Sequence, residues 1–140
     1  MINIVVVTHG EFGAYLVEAA ESIVGPQEDG VRVIAISPRL SVPEICERLK
    51  RAVEEVKSAE GLIVFTDMPG GTPGNLCFPL IKGAAGIEMI SGVNLYMLVS
   101  AFSHRGEMPL SELVEKAIAD GQNSIRDIRR MVVSQGRRAA

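Results

Sequence analysis

The sequence has no tryptophan, and its two tyrosines and four phenylalanines make up only 4% of 140 residues. Stacking on bases or sugars needs aromatic platforms, so that kind of recognition is poorly supplied. Soft ligands are just as scarce: His9, His104, Cys46 and Cys77 are the whole stock. So few, so widely scattered, do not make a structural zinc site, and no metal is expected. No apolar run approaches the ~20 residues that a membrane-spanning helix needs, so membrane insertion is not expected. Positive charge is lacking too. Fourteen Lys and Arg stand against 17 Asp and Glu, for a net charge of -3, which argues against a nucleic-acid partner. The start Met1-Ile2-Asn3-Ile4 has none of the basic character of a secretory leader. Two cysteines then read as reduced thiols, and a cytoplasmic location is expected.

Nucleotide signatures are also missing. No strand-to-helix turn carries Gly-x-Gly-x-x-Gly, and no Lys-Ser/Thr pair follows Gly70-Gly71. No organic cofactor is implied.

What the sequence does have is apolar content, 47% of the chain, enough to fill one domain core. Ile4 to Val7 is an unbroken β-branched run ending at Thr8-His9-Gly10, which suits a strand buried on both faces of a parallel sheet. Val31–Ile36, Gly61–Asp67 and Ile87–Ser91 read as three more strands. Between them lie helical stripes. Phe12, Leu16, Ala19 and Ile23 mark the first helix; Ile45, Leu49, Val53 and Val56 mark the second. Ser41-Val42-Pro43-Glu44 has the form of a capping box with proline in the first turn. Thr72-Pro73 looks like the start of a third helix carrying Leu76, Cys77, Leu80 and Ile81. Leu95–Phe102 is a fourth. A fifth carries Leu110, Leu113, Val114, Ala117 and Ile118 and is expected to stop at Gly121. Ser124–Val133 has helical spacing in Ile125, Ile128 and Met131, yet Met131-Val132-Val133 could finish a strand. Strands alternating with helices predict a three-layer α/β fold with a parallel sheet and helices on both faces. The expected domain is 1–133, with 134–140 as a flexible basic tail.

In open parallel sheets, ligands bind beyond the carboxyl ends of strands where the strand order reverses. With the order 2-1-3-4, strands 1 and 3 are neighbours at that point, and right-handed crossovers put their loops on one rim. His9 and Asp67, remote in sequence, then become adjacent. A carboxylate that accepts the proton of one imidazole nitrogen fixes the tautomer and leaves the other nitrogen free as a nucleophile. Gly70-Gly71-Thr72-Pro73 lets backbone come close to a ligand and offers unpaired N–H groups at a helix start. Together these suit a phosphoryl group, whose transfer needs mostly position and electrostatic support. Singly, each has a plain structural reading: a histidine can pack, an aspartate can cap a turn, and two glycines can simply turn the chain. His104, in Ser103-His104-Arg105-Gly106, reads as a solvated loop residue, and Cys46 and Cys77 as small core residues. Five arginines near the C-terminus read as a solvated face or as a contact for an acidic partner.

Three ordered motifs carry a resemblance: Val-Val-Thr-His-Gly at 6–10, Thr-Asp-Met-Pro-Gly-Gly-Thr-Pro at 66–73 with Asn75, and Ser-Gly-Val-Asn-Leu at 91–95. Over about residues 1–133 the chain resembles the mannose-type IIA domain of the bacterial sugar phosphotransferase system. The resemblance implies that His9 takes a phosphoryl group from phospho-HPr, on the nitrogen far from the backbone, and passes it to a IIB protein. It implies that Asp67 orients the imidazole and that Gly71 and Thr72 support the phosphate. It also implies a homodimer and a fifth, antiparallel strand near the C-terminus, swapped between subunits. Tyr96 follows Leu95 where the family usually has proline. Two other readings stay open: a regulatory phosphoprotein without a permease, and the phosphoryl-donor subunit of a dihydroxyacetone kinase.

Overall fold

A computed structural model describes residues 1–68, 75, 78, 79 and 82–139. Four strands, β1 (Asn3–His9), β2 (Val31–Ile36), β3 (Leu62–Thr66) and β4 (Ile87–Ile90), form one parallel sheet in the order β2-β1-β3-β4. The described helices are α1 (Phe12–Val24), α2 (Val42–Glu55), α3 (Leu95–His104), α4 (Leu110–Asn123) and α5 (Ile128–Ala139). The predicted third helix lies mostly outside the described residues; within it, Asn75, Phe78 and Pro79 are helical.

The two central strands are apolar without alternation because both sheet faces are covered. On one face Ile4, Val6, Ile63 and Phe65 pack against Val17 and Ala20 of α1, Leu98 and Ala101 of α3, and Leu113 and Ala117 of α4. On the other, Val5, Val7, Ile34, Leu62 and Val64 meet Ile45, Leu49 and Ala52 of α2. These two cores make the three layers that the alternation of elements predicts.

The capping box forms as expected. Glu44 N–H donates to Ser41 Oγ (3.3 Å), and Ser41 N–H donates to Glu44 Oε2 (2.7 Å). These bonds hold the Glu44 carboxyl below its ordinary pKa.

Three expectations need correction. The buried face of α1 is Gly13, Val17 and Ala20, while Phe12 and Ile23 are 49% and 60% exposed. Both sets have helical spacing; close contact at Gly13 decides which one turns inward. Gly121 does not end α4, which continues to Asn123. It is buried against α3, where a Cβ would run into the Met97 side chain, so no side chain fits there. Finally, residues 128–139 form a helix, and no fifth strand occurs among the described residues. A helix satisfies its own backbone groups, whereas a strand needs an edge to pair with. The boundary expected at 133/134 therefore falls inside α5.

Candidate functional site

The site is built at the carboxyl ends of β1 and β3. Val7 pairs with Thr66, so the next residues on each strand emerge side by side on one rim. Past His9 the chain must turn sharply into α1. Gly10 makes that turn with φ +55°, in the left-handed region that glycine adopts freely, and its N–H donates to Ile36 O (2.9 Å). The buried Thr8 side chain then takes the role of a helix cap: its Oγ1 accepts the N–H of Gly13 at 2.7 Å. A Cβ on Gly13 would stand 2.8 Å from Thr8 Oγ1 and 3.1 Å from Val6 Cγ1, so only glycine allows this approach. Thr8 and Gly13 are positioning residues that reasoning from sequence passed over. The signal was there in a glycine placed inside the first turn of a helix.

On this frame His9 and Asp67 meet. The imidazole Nδ1 lies 2.7 Å from Asp67 Oδ2, and the same oxygen accepts the backbone N–H of His9 at 2.9 Å. Asp67 Oδ1 accepts the N–H of Met68 at 3.0 Å. The carboxylate is thus fixed at both oxygens. Burial alone would raise its pKa, but the hydrogen bonds from His9 and the His9 charge outweigh burial and hold the carboxyl below its ordinary value. An ionised Asp67 accepts the proton on Nδ1, which leaves the Nε2 lone pair outward. The imidazole is half-exposed at 51%, while Asp67 is only 15% exposed. The arrangement presents a nucleophilic nitrogen to solvent over a shielded carboxylate. Phe12, which opens α1, and Met68, which follows Asp67, are both exposed.

The motif at 91–95 works behind the site. Val93 N–H donates to Thr66 O (2.9 Å) and so braces the end of β3. Asn94 Oδ1 accepts Met97 N–H (3.0 Å) to cap α3, and Asn94 Nδ2 donates to Gly121 O (3.2 Å) on α4. Gly71, Thr72 and Cys77 lie outside the described residues. Cys46 is half-buried beside the α2 core. His104 is no loop residue: it ends α3, its side chain is largely covered, and its Nδ1 is 3.7 Å from Glu107 Oε2. Among the described residues no group of three or more His, Cys, Asp or Glu could hold a metal, and no described helix is long and apolar enough to cross a membrane.

Fold and site together define a class: a doubly covered parallel α/β domain with a carboxylate-oriented histidine at the strand-order switch point. The comparisons give that class a family. A family model described as "PTS system fructose IIA component" matches residues 3–118, and the chain belongs to this family. Among curated relatives, the chain is 29% identical over 129 residues to a mannose-specific EIIAB component of Escherichia coli strain K12. That match covers 91% of this chain but 40% of the relative, so the chain spans well under half the length of that protein. It is 26% identical over 124 residues to a fructose-specific EIIA component of Bacillus subtilis, covering 89% of this chain and 84% of the relative. Among solved structures, a phosphotransferase system component EIIA from Streptococcus agalactiae superposes with a TM-score of 0.82 at 32% identity, covering 93% of this chain and 99% of that one.

Proposed function

We propose that this protein is a phosphoryl carrier of a sugar phosphotransferase system, with His9 as the residue that holds the phosphoryl group. The observation that carries the reading is the 2.7 Å contact between His9 Nδ1 and Asp67 Oδ2 at the rim. With Nδ1–H committed to the carboxylate, Nε2 attacks the phosphorus of phospho-HPr. A bond forms between Nε2 and phosphorus while the donor's own nitrogen–phosphorus bond breaks, and the donor imidazole leaves with the electron pair. The new phosphoimidazole keeps Nδ1–H, and its ring positive charge faces Asp67. Transfer to a separate IIB protein repeats the same exchange in the other direction. No proton has to be removed from a solvent-facing nucleophile, so position and charge suffice. Gly71 and Thr72 support the phosphate, as the family resemblance implies. In this reading the carrier works in the cytoplasm as a homodimer, and no metal or organic cofactor takes part.

The test is incubation with phosphoenolpyruvate, enzyme I and HPr, followed by intact mass. One acid-labile phosphate is expected on the wild type and none on His9→Ala. No gain on the wild type, or an equal gain on the variant, overturns the reading. Adding a mannose-type IIB chain should then remove the phosphate. Phosphate that stays on His9 would instead make the protein a regulator.

A further inference from the structure

β2 closes one side of the sheet, and no strand lies beyond it among the described residues. Ile4 N–H donates to Gly30 O (2.7 Å), and Gly10 N–H donates to Ile36 O (2.9 Å). Backbone direction alternates along a strand, so residues 30, 32, 34 and 36 bond inward to β1. Val31, Val33 and Ala35 therefore turn their N–H and C=O groups outward. Among the described residues one of these groups is taken: Arg32 folds back, and its Nη1 donates to Val31 O (3.0 Å). The polar groups of Val33 and Ala35 are left as a short open edge. Such an edge is a ready template for another strand unless it is blocked or covered.

A groove of about 250 Å³ runs between this edge and α2, and its charged lining is Arg32, Arg48, Arg51 and Glu55. Arg48 and Arg51 stand one turn apart on α2, and both are exposed. Glu55 Oε2 is 3.6 Å from Arg32 Nε, and Glu47 Oε1 is 4.0 Å from Arg51 Nη2. Exposed pairs of this kind are weak. Three arginines against one glutamate leave the groove basic, in a chain whose net charge is -3. The two sides of the edge differ. Ile34 and Ile36 point to the α2 side, while Val31 packs with the α1 core. Val33 shares the α1 side by alternation and is 37% exposed.

We propose that the outer edge of β2 takes an extended acidic segment of another protein as an added strand. Main-chain bonds to Val33 and Ala35 hold the segment, and its alternate side chains select it. Those on the α2 side are carboxylates that face Arg48 and Arg51. Those on the α1 side are apolar and cover Val33. A second copy of this chain suits the edge poorly, because pairing β2 with β2 sets one basic groove against another. β1 separates this edge from β3, and β2 ends where Ile36 O holds the Gly10 turn. The added strand thus lies one strand away from His9 rather than over the imidazole.

The probe is an end-capped peptide, Glu-Val-Glu-Val-Glu, titrated into the full chain. Anisotropy of a labelled copy reads affinity, and amide NMR shifts read the place. Saturable binding is expected between micromolar and millimolar, with shifts at Val33, Ala35 and the outer side of α2. A peptide with proline for its central valine keeps the charge but lacks the N–H, and should bind at least about tenfold more weakly. Arg48→Glu combined with Arg51→Glu should also weaken binding about tenfold, at unchanged circular dichroism because both positions are exposed. No saturation at millimolar peptide overturns the proposal. So does equal binding of the proline peptide or of Lys-Val-Lys-Val-Lys. Heparin that displaces the peptide while shifting only the arginines would make the groove a polyanion contact instead. Shifts at Val33 and Ala35 that grow with protein concentration alone would give the edge to a second copy.

Discussion

At the scale of single residues, the pairing of His9 with Asp67 makes the sharpest demands. In the proposed carrier reading, the carboxylate holds the imidazole proton on Nδ1 and faces the positive charge that builds on the ring during transfer. Asp67→Asn keeps the shape but loses that charge, and its amide can offer Nδ1 a donor instead of an acceptor. Phosphorylation by phospho-HPr should slow by about 10–100-fold, the usual effect of removing an orienting carboxylate. A stopped time course analysed by intact mass checks this; an unchanged rate would leave Asp67 as a turn residue only. The same carboxyl also links stability to pH. Its pKa in the folded protein lies below the ordinary 3.8. The stability it contributes is therefore fully present above that ordinary value and is lost as pH falls through the folded one. The Tm gap between wild type and Asp67→Asn should be widest near neutral pH and close in that acid window. His9 and Asp67 were legible in the sequence because each ends a β-branched run, and the topology rule for parallel sheets puts such ends together. Thr8 was not, since a buried threonine beside a candidate nucleophile carries no sign of its bond to Gly13.

At the scale of elements, periodicity located the helices but not always their inward faces. Phe12, Leu16, Ala19 and Ile23 form one stripe of α1, and Gly13, Val17 and Ala20 form another a short rotation away. Steric contact chooses between them, and contact is invisible to a hydrophobicity count that scores glycine as neutral. Gly13→Ala tests the choice directly. Its methyl group would sit 2.8 Å from Thr8 Oγ1, forcing α1 away from β1 and opening the turn that carries His9. A loss of about 1–3 kcal/mol is expected for such overpacking, together with slower phosphorylation. Thermal unfolding and the phosphorylation assay read the two effects; full activity at wild-type Tm would show that α1 need not pack so closely. By contrast, the cap of α2 was legible in four letters, and Ser41→Ala should cost about 1 kcal/mol without touching phosphoryl transfer. The last segment could not be read from either period. The spacing of Ile125, Ile128 and Met131 favoured a helix and Met131-Val132-Val133 a strand, and the structure has residues 128–139 as the helix α5.

At the scale of the whole molecule, one buried cation ties together parts that are far apart in sequence. Arg105 follows α3 and is 4% exposed, although its neighbours suggested a polar loop. Its Nε donates to Gln27 Oε1 (2.9 Å), Nη2 to Asp29 O (2.6 Å) and Nη1 to Ile2 O (3.4 Å). Its own carbonyl accepts the N–H of Ile2 at 2.9 Å. Burial lowers the guanidinium pKa, and the Asp29 charge opposes that only in part. The start of β1, the α1–β2 connection and the end of α3 are thus joined at the pole opposite His9. A planar fork is needed, because three acceptors in different directions exceed what a lysine can reach without strain. Arg105→Leu should lower stability by about 3–5 kcal/mol, since it leaves buried acceptors unpaired, and Arg105→Lys should recover only part of it. Chemical denaturation measures both. Phosphate uptake by the fraction that remains folded should be unchanged, because the rim is held by Thr8, Gly13 and Val93 rather than by this joint. If Arg105→Leu slowed uptake in fully folded protein, the two poles would be coupled through β1. The central strand would then transmit strain to His9 as well as place it.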